Sequence, residues 1–281
     1  MKIIQILAVL TLCIFVQCEL APSASAQQWD RRDRWGRGYE APERDIFPGN
    51  TFTFCRILYN SHRGGYGWGR RGGGCWTDYP DSDLNFPQRL SELTTIKVNR
   101  TEDGQVKHVA LDLLDDDLFK YPFAYMLEVG NMYLSQKEAE RLRDYLLRGG
   151  FLLVDDFWGE YAWRNFEHEF SKVFPPEEYP LVDIPLEHEI FHIVFELDEI
   201  PQIPGIGHWA GSGGGTSESG GPVSCKGVFD KRGRLMAVII HNSDLGDGWE
   251  EEATNPQYFA EFSRTKAYPL GINIVVYAMT H

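Results

Sequence analysis

Three polar clusters in this sequence follow directly on apolar runs, and their residue types could do acid, base or ligand chemistry. Asn60-Ser61-His62 closes the run 51–59 (TFTFCRILY), and Asp155-Asp156-Phe157-Trp158-Gly159 follows 151–154 (FLLV). His241-Asn242-Ser243-Asp244 follows 234–240 (RLMAVII) and continues into Leu245-Gly246-Asp247-Gly248-Trp249. In open α/β sheets ligands bind in the crevice beyond the carboxyl ends of the strands. Side chains at such ends are therefore the candidates for proton transfer or metal-assisted hydrolysis. Adjacent side chains of an extended chain point in opposite directions. One of Asp155 and Asp156 is accordingly expected to face the crevice while the other caps the next helix. Capping and turn formation by both acids is the competing reading, and the same pair of readings applies to Asp244 and Asp247.

A second string, His188-Glu189-Ile190-Phe191-His192, satisfies H-E-x-x-H. On a helix this spacing sets two imidazoles on one face to hold zinc, with the glutamate as general base. The β-branched and aromatic flanks (Ile190, Phe191, Ile193, Val194, Phe195) are poor material for an open catalytic helix, and no third ligand stands at a suitable offset. Buried or hydrogen-bonded histidines are the expectation, with His188 and His192 kept as the candidate metal pair. The chain has no G-x-S-x-G or G-x-C-x-G elbow. The Gly-rich stretch from His62 to Cys75, carrying Arg63, Arg70 and Arg71, reads as a mobile loop facing an acidic surface or a partner.

The elements that must position these groups alternate. Strands are expected over 51–59, 94–98, 106–113, 123–129, 151–154 and 234–240, the last entered from a hairpin turn at 230–233. Helices are expected over 84–93, 161–174 and 270–279, with a turn or short helix at Asp115-Asp116-Asp117. Another helix opens with the capping box Ser135-Gln136-Lys137-Glu138 and ends at Gly149-Gly150. Strand, helix, Gly-Gly, strand, helix is the alternation of a parallel sheet. The expected fold is a doubly wound α/β domain, mostly parallel, with helices on both faces.

The N-terminus fits a secretory signal over residues 1–26: Lys2, an apolar run at 3–16, and Ala24-Ser25-Ala26 before a mature start near Gln27. The run is too short to span a bilayer, so no stable membrane insertion is expected after cleavage. Cys18 opens a lipoprotein alternative, which Gln17 before it fits poorly. Residues 27–50 read as a flexible lead-in and 51–281 as one α/β domain. The formal net charge is −14, which removal of Lys2 and Glu19 leaves unchanged and which argues against nucleic acid as a partner. Cys55, Cys75 and Cys225 remain after residue 26, and Cys75 and Cys225, read as lying in Gly-rich loops, are the candidate disulfide.

Several ordered motifs resemble the bacterial "domain of unknown function 4159" family across about residues 50–280. They are Trp76-Thr77-Asp78-Tyr79-Pro80, Tyr121-Pro122-Phe123-Ala124-Tyr125, Leu142-Arg143 through Gly149-Gly150-Phe151, Asp155-Asp156, His188 with Ile190-Phe191, Ile200-Pro201-Gln202, Asn242 through Gly246 with Trp249, and Gly271-Ile272-Asn273. The resemblance implies a flavodoxin-like, class I glutamine amidotransferase-like fold without the amidotransferase cysteine. It also implies a pocket lined by Asp78, Asp155, Asp156, His188, Asn242, Asp244 and Trp249, to which its place after the strand adds Trp158. No cofactor is indicated. The expected function is that of an exported, periplasmic or secreted, non-catalytic module that binds a small-molecule ligand or an envelope protein partner. A metal-assisted hydrolase using an Asp/His cluster at the strand ends is the alternative.

Overall fold

Strand β1 (Phe54–Leu58) runs parallel to β3 (His108–Asp112) on one side and to β4 (Phe123–Leu127) on the other. The computed structural model describes residues 51–61 and 74–281. The signal segment, the 27–50 lead-in and the Arg/Gly loop at 62–73 lie outside those residues. From β4 the sheet continues through β6 (Phe151–Asp155) and β9 (Leu235–His241), all parallel. It ends in antiparallel β8 (Ser224–Phe229) and β7 (Val182–Asp183), giving the order β3-β1-β4-β6-β9-β8-β7. A separate two-stranded ribbon pairs β2 (Asn60–Ser61) with β5 (Met132–Tyr133).

The central strands are buried along their whole length, as the runs FAYML, FLLVD and LMAVIIH require. Alternate side chains feed two apolar layers. Phe54, Tyr125, Leu153 and Val238 point into a layer shared with α1 (Asp81–Leu93) and α7 (Tyr268–Thr280). Cys55, Met126, Val154 and Ile239 point into the other, covered by α2 (Gln136–Leu147) and α3 (Gly159–Val173). Helices thus cover both faces of a mostly parallel sheet. No helix among the described residues is long and apolar enough to cross a membrane.

The capping box of α2 is formed in both directions, with the Glu138 amide donating to Ser135 Oγ at 3.3 Å and the Ser135 amide to Glu138 Oε2 at 2.8 Å. Gly150 is required for a different reason, since a Cβ there would lie 2.4 Å from the Tyr145 ring. The 94–98 stretch is not a strand: it touches the sheet region through one bridge, Phe52 to Val98. The last helical run starts well before residue 270, passing from α6 (Pro256–Tyr258) through a π-helical stretch, Phe259–Ala267, into α7. Helix α4 (Ile206–Ser212) precedes β8, and the short α5 (Leu245–Glu250) leaves the end of β9.

The expected disulfide is not formed. Cys225 lies on β8 rather than in a loop and faces the α1/α7 layer, whereas Cys75 faces the α2/α3 layer. The sheet stands between them, and Cys55, Cys75 and Cys225 are all buried free thiols. Burial raises all three thiols above their ordinary range, with Cys225 pushed up to about 12, which makes them apolar filling rather than nucleophiles.

Candidate functional site

The rim at the carboxyl ends of β4, β6 and β9 is built from residues in an unusual conformation. Four non-glycine residues among those described have positive φ: Asp78 (60°), Glu128 (55°), Asp156 (50°) and Asn242 (60°). Glu128, Asp156 and Asn242 each come directly after one of those three strands. Left-handed backbone is costly for such residues and persists where the surroundings hold it. Here the bracing is visible as main-chain bonds across the rim. The Glu128 amide donates to Asp156 O at 3.0 Å, the Asp156 amide to Ser243 O at 3.1 Å, and the Asn242 amide to Phe157 O at 3.0 Å.

Asp78 arrives from a different direction, on the loop at 74–80 that leads into α1. That loop is held by Arg56, which points from β1 into the α1 layer and is fully buried. Its guanidinium pairs with Asp83 of α1, donates to Ser82 Oγ at 2.9 Å, and reaches the carbonyls of Cys75 (3.1 Å) and Thr77 (2.9 Å). Asp78 is thereby brought to the tips of β6 and β9. One carboxylate oxygen from each of Asp78, Asp156 and Asp244 lies within 4.8 Å of the others, and all three residues are buried. A second set with the same spacing joins Asp78 to Asp247 and Glu250 of α5.

Each of these acids has a distinct environment. Asp156 Oδ1 accepts from Trp158 Nε1 at 3.0 Å. Asp244 caps α5, with Oδ1 accepting from the Asp247 amide at 2.7 Å, and Asp247 Oδ2 accepts from the Ile206 amide. Asp78 Oδ2 is buried and has no hydrogen-bond partner. The approach is close: a Cβ on Gly246 would lie 2.1 Å from Asp78 Oδ2 and 2.9 Å from the Tyr125 hydroxyl. Asp155 is not in either set: its Oδ2 accepts from the Leu245 amide (2.7 Å), the Gly246 amide (3.2 Å) and the Tyr125 hydroxyl (3.3 Å). Of the two adjacent acids, Asp156 therefore joins the cluster and Asp155 pins the start of α5.

Burial shifts the aspartates of this group. Desolvation, followed by the neighbouring acids, holds Asp78, Asp156 and Asp244 well above the usual carboxylate range. Burial pushes Asp155 up to about 7 and Asp247 up to about 8. Glu128 is raised to about 7 by burial and then by the charge of Glu218, which itself accepts from the Gly205 amide at 2.9 Å.

The other sequence candidates fall elsewhere. Asn242 spends its side chain on scaffolding: Oδ1 accepts from the Gly159 amide (2.8 Å) and Ser219 Oγ (2.9 Å), and Nδ2 donates to Pro222 O (2.8 Å). Trp249 is buried in the core against Phe54, Phe86 and Tyr125. His188 is at the opposite rim, its ring 6.0 Å from that of Phe229 and 5.6 Å from that of Tyr277, and Tyr277 packs on Phe151 at the start of β6. The H-E-x-x-H string is not a helix of the needed length. Only Glu189–Phe191 forms one 3-10 turn, His188 Nδ1 accepts the Ile190 amide, and His192 bonds Glu196 and Leu186 O. The two imidazoles are not set on one face, and no cluster of metal-ligating groups among the described residues includes them. Asn60, at the end of the first run, is spent on the ribbon and reaches Glu138 Oε1 at 3.5 Å.

The strand-end rule reached Asp155, Asp156, Asn242 and Asp244, but it missed Glu128, Glu218 and Glu250. Glu128 has the same signal as Asp156 once its strand is ended at Leu127. Glu250 follows Asp244 and Asp247 at steps of three along α5. Glu218, in the stretch Ser217-Glu218-Ser219-Gly220, carried no signal.

These features define an α/β domain with a mostly parallel sheet and a cluster of buried carboxylates at its carboxyl rim. The family model described as a domain of unknown function (DUF4159) matches residues 55–279, and the chain belongs to that family. No curated protein matches it.

Proposed function

We propose that this chain is an exported binding module whose pocket takes a hard divalent cation on Asp78, Asp156 and Asp244. The observation that carries the reading is Asp78, whose Oδ2 is buried without a hydrogen bond and whose carboxylate lies within 4.8 Å, oxygen to oxygen, of two more buried acids. Three buried carboxylates within one small volume need either protons or a cation. Arg56 acts on Asp78 electrostatically, but its hydrogen bonds are committed to Asp83, Ser82 and two carbonyls. An all-oxygen donor set suits calcium, magnesium or manganese. Two oxygens on one ion lie at most about twice the metal–oxygen distance apart, ~5 Å for calcium and ~4 Å for magnesium. The three oxygens lie within 4.8 Å of one another, close enough for small side-chain adjustments to place them on one ion.

The parallel strands, taken in chain order, run 2-1-3-4-5 across the sheet. That order supports the flavodoxin-like, doubly wound winding, whose ligand crevice lies at this same rim. Export rests on the N-terminal pattern of Lys2, the apolar run and Ala24-Ser25-Ala26. The hydrolase alternative called for an Asp/His cluster; His188 and His192 are remote from the acids, so binding is the reading retained.

Calorimetry and thermal melting of chelator-treated protein, titrated with calcium, magnesium and manganese, test it. Saturable binding and a higher Tm are expected with at least one of the three. Asp78→Asn should abolish both, and Asp156→Asn should weaken both, while far-ultraviolet circular dichroism is unchanged. No heat and no shift with any of the ions would remove the reading.

A further inference from the structure

We infer that the pocket accommodates two divalent cations, with Asp78 shared between them. This rests on the single-cation reading and extends it. Two donor sets meet the same spacing, Asp78-Asp156-Asp244 and Asp78-Asp247-Glu250, and Asp78 is common to both. A carboxylate can give one oxygen to each of two ions, and Asp78 has an unpartnered buried oxygen to contribute.

The neighbouring acids are prepared in the same manner. Asp156 Oδ1 is fixed by Trp158, Asp244 Oδ1 by the Asp247 amide, and Asp247 Oδ2 by the Ile206 amide. Each such bond fixes the orientation of a carboxylate through one oxygen and leaves the second for a cation. The two sets differ in access. The first is buried throughout, whereas Asp247 and Glu250 are half-buried, so the second ion would sit on the solvent side with positions open to water or a ligand oxygen.

Charge balance argues in the same direction. Five carboxylates make up the two sets, and with all five ionised one divalent ion would leave three negative charges uncompensated. A second ion leaves one. Two-ion sites of this kind hold their metals ~3.5–4 Å apart, which one bridging carboxylate can span.

Manganese is the probe, followed by calorimetric stoichiometry and by the electron paramagnetic resonance spectrum. The wild-type chain should bind two equivalents and show the broadened signal of a coupled pair. Asp247→Asn should lose one equivalent and give the spectrum of an isolated ion, whereas Asp78→Asn should lose both. Glu250→Gln repeats the first comparison if the loss of the Asp247 bond to Ile206 compromises folding. One equivalent in the wild type, unaffected by Asp247→Asn and Glu250→Gln, would overturn the pair and leave the single-cation reading intact. No binding at all would overturn both.

Discussion

At the scale of single residues, the pocket depends as much on what is missing from Gly246 as on the acids around it. The Asp78 carboxylate occupies the space a Cβ would need, at 2.1 Å from the position of that atom. A methyl group there cannot coexist with Asp78 in its present place, and the Tyr125 hydroxyl blocks retreat on the other side. Gly246→Ala should therefore displace Asp78 and weaken cation binding by an order of magnitude or more. The helical backbone at this position accepts alanine, so secondary structure should be kept. Calorimetry beside circular dichroism checks this; unchanged affinity in a folded variant would show that Asp78 does not bind through its present position. The same scale explains why His188 and Trp249 are not in the site. Imidazole and indole serve cores and pockets alike, and their types do not say on which rim of a sheet the chain will leave them. An acid gives more away, because burying one is costly unless it is paired, protonated or bound to a cation.

Elements decide which residues can meet, and here the sequence carried part of the answer. Apolar runs ending in acids marked the tips of β6 and β9, and the capping box marked α2 correctly. Glu128 was hidden because the run 123–129 continues in apolar residues on both sides of it, whereas the strand stops at Leu127 and the chain turns left-handed. Asp78 was marked only by the family resemblance. Its placement is a long-range effect, made by Arg56 of β1 gripping α1 and the preceding loop at once. Both Arg56 and Asp83 are completely buried, so removing one partner leaves a charge without compensation. Such changes cost about 3–5 kcal/mol. Asp83→Asn should lower stability by an amount of that order in chemical denaturation, and cation affinity should fall with it because the Asp78 loop loses its anchor. A variant as stable as the wild type would show that Arg56 finds other partners and that the loop does not need this pair.

For the whole molecule, the gathering of acids at one rim should reverse the usual response to acid. Ordinarily, carboxylates stabilised as ions in the fold make a protein less stable as the pH falls. Here Asp155 and Glu128 are raised to about 7, and Asp247 to about 8, mainly by burial. Asp78, Asp156 and Asp244 are shifted in the same direction. An acid whose folded pKa lies above its unfolded value, ~4, holds its proton more tightly when folded. Its contribution to stability is complete below that unfolded value and is lost as the pH rises through the folded one. The metal-free protein should accordingly melt at a lower temperature at pH 8 than at pH 5.5. A saturating cation should flatten or invert the trend, because it binds the ionised carboxylates and displaces their protons. The net charge of −14 also weakens the fold as pH rises, but Asp78→Asn separates the two effects. It changes the total charge by one unit and removes a buried group from the cluster, so a clear reduction in the pH slope belongs to the pocket. Melting curves from pH 5 to 8, in chelator and in calcium or manganese, supply the comparison. A metal-free Tm that climbs across this range would mean that the acids are ionised and compensated in the fold without a cation.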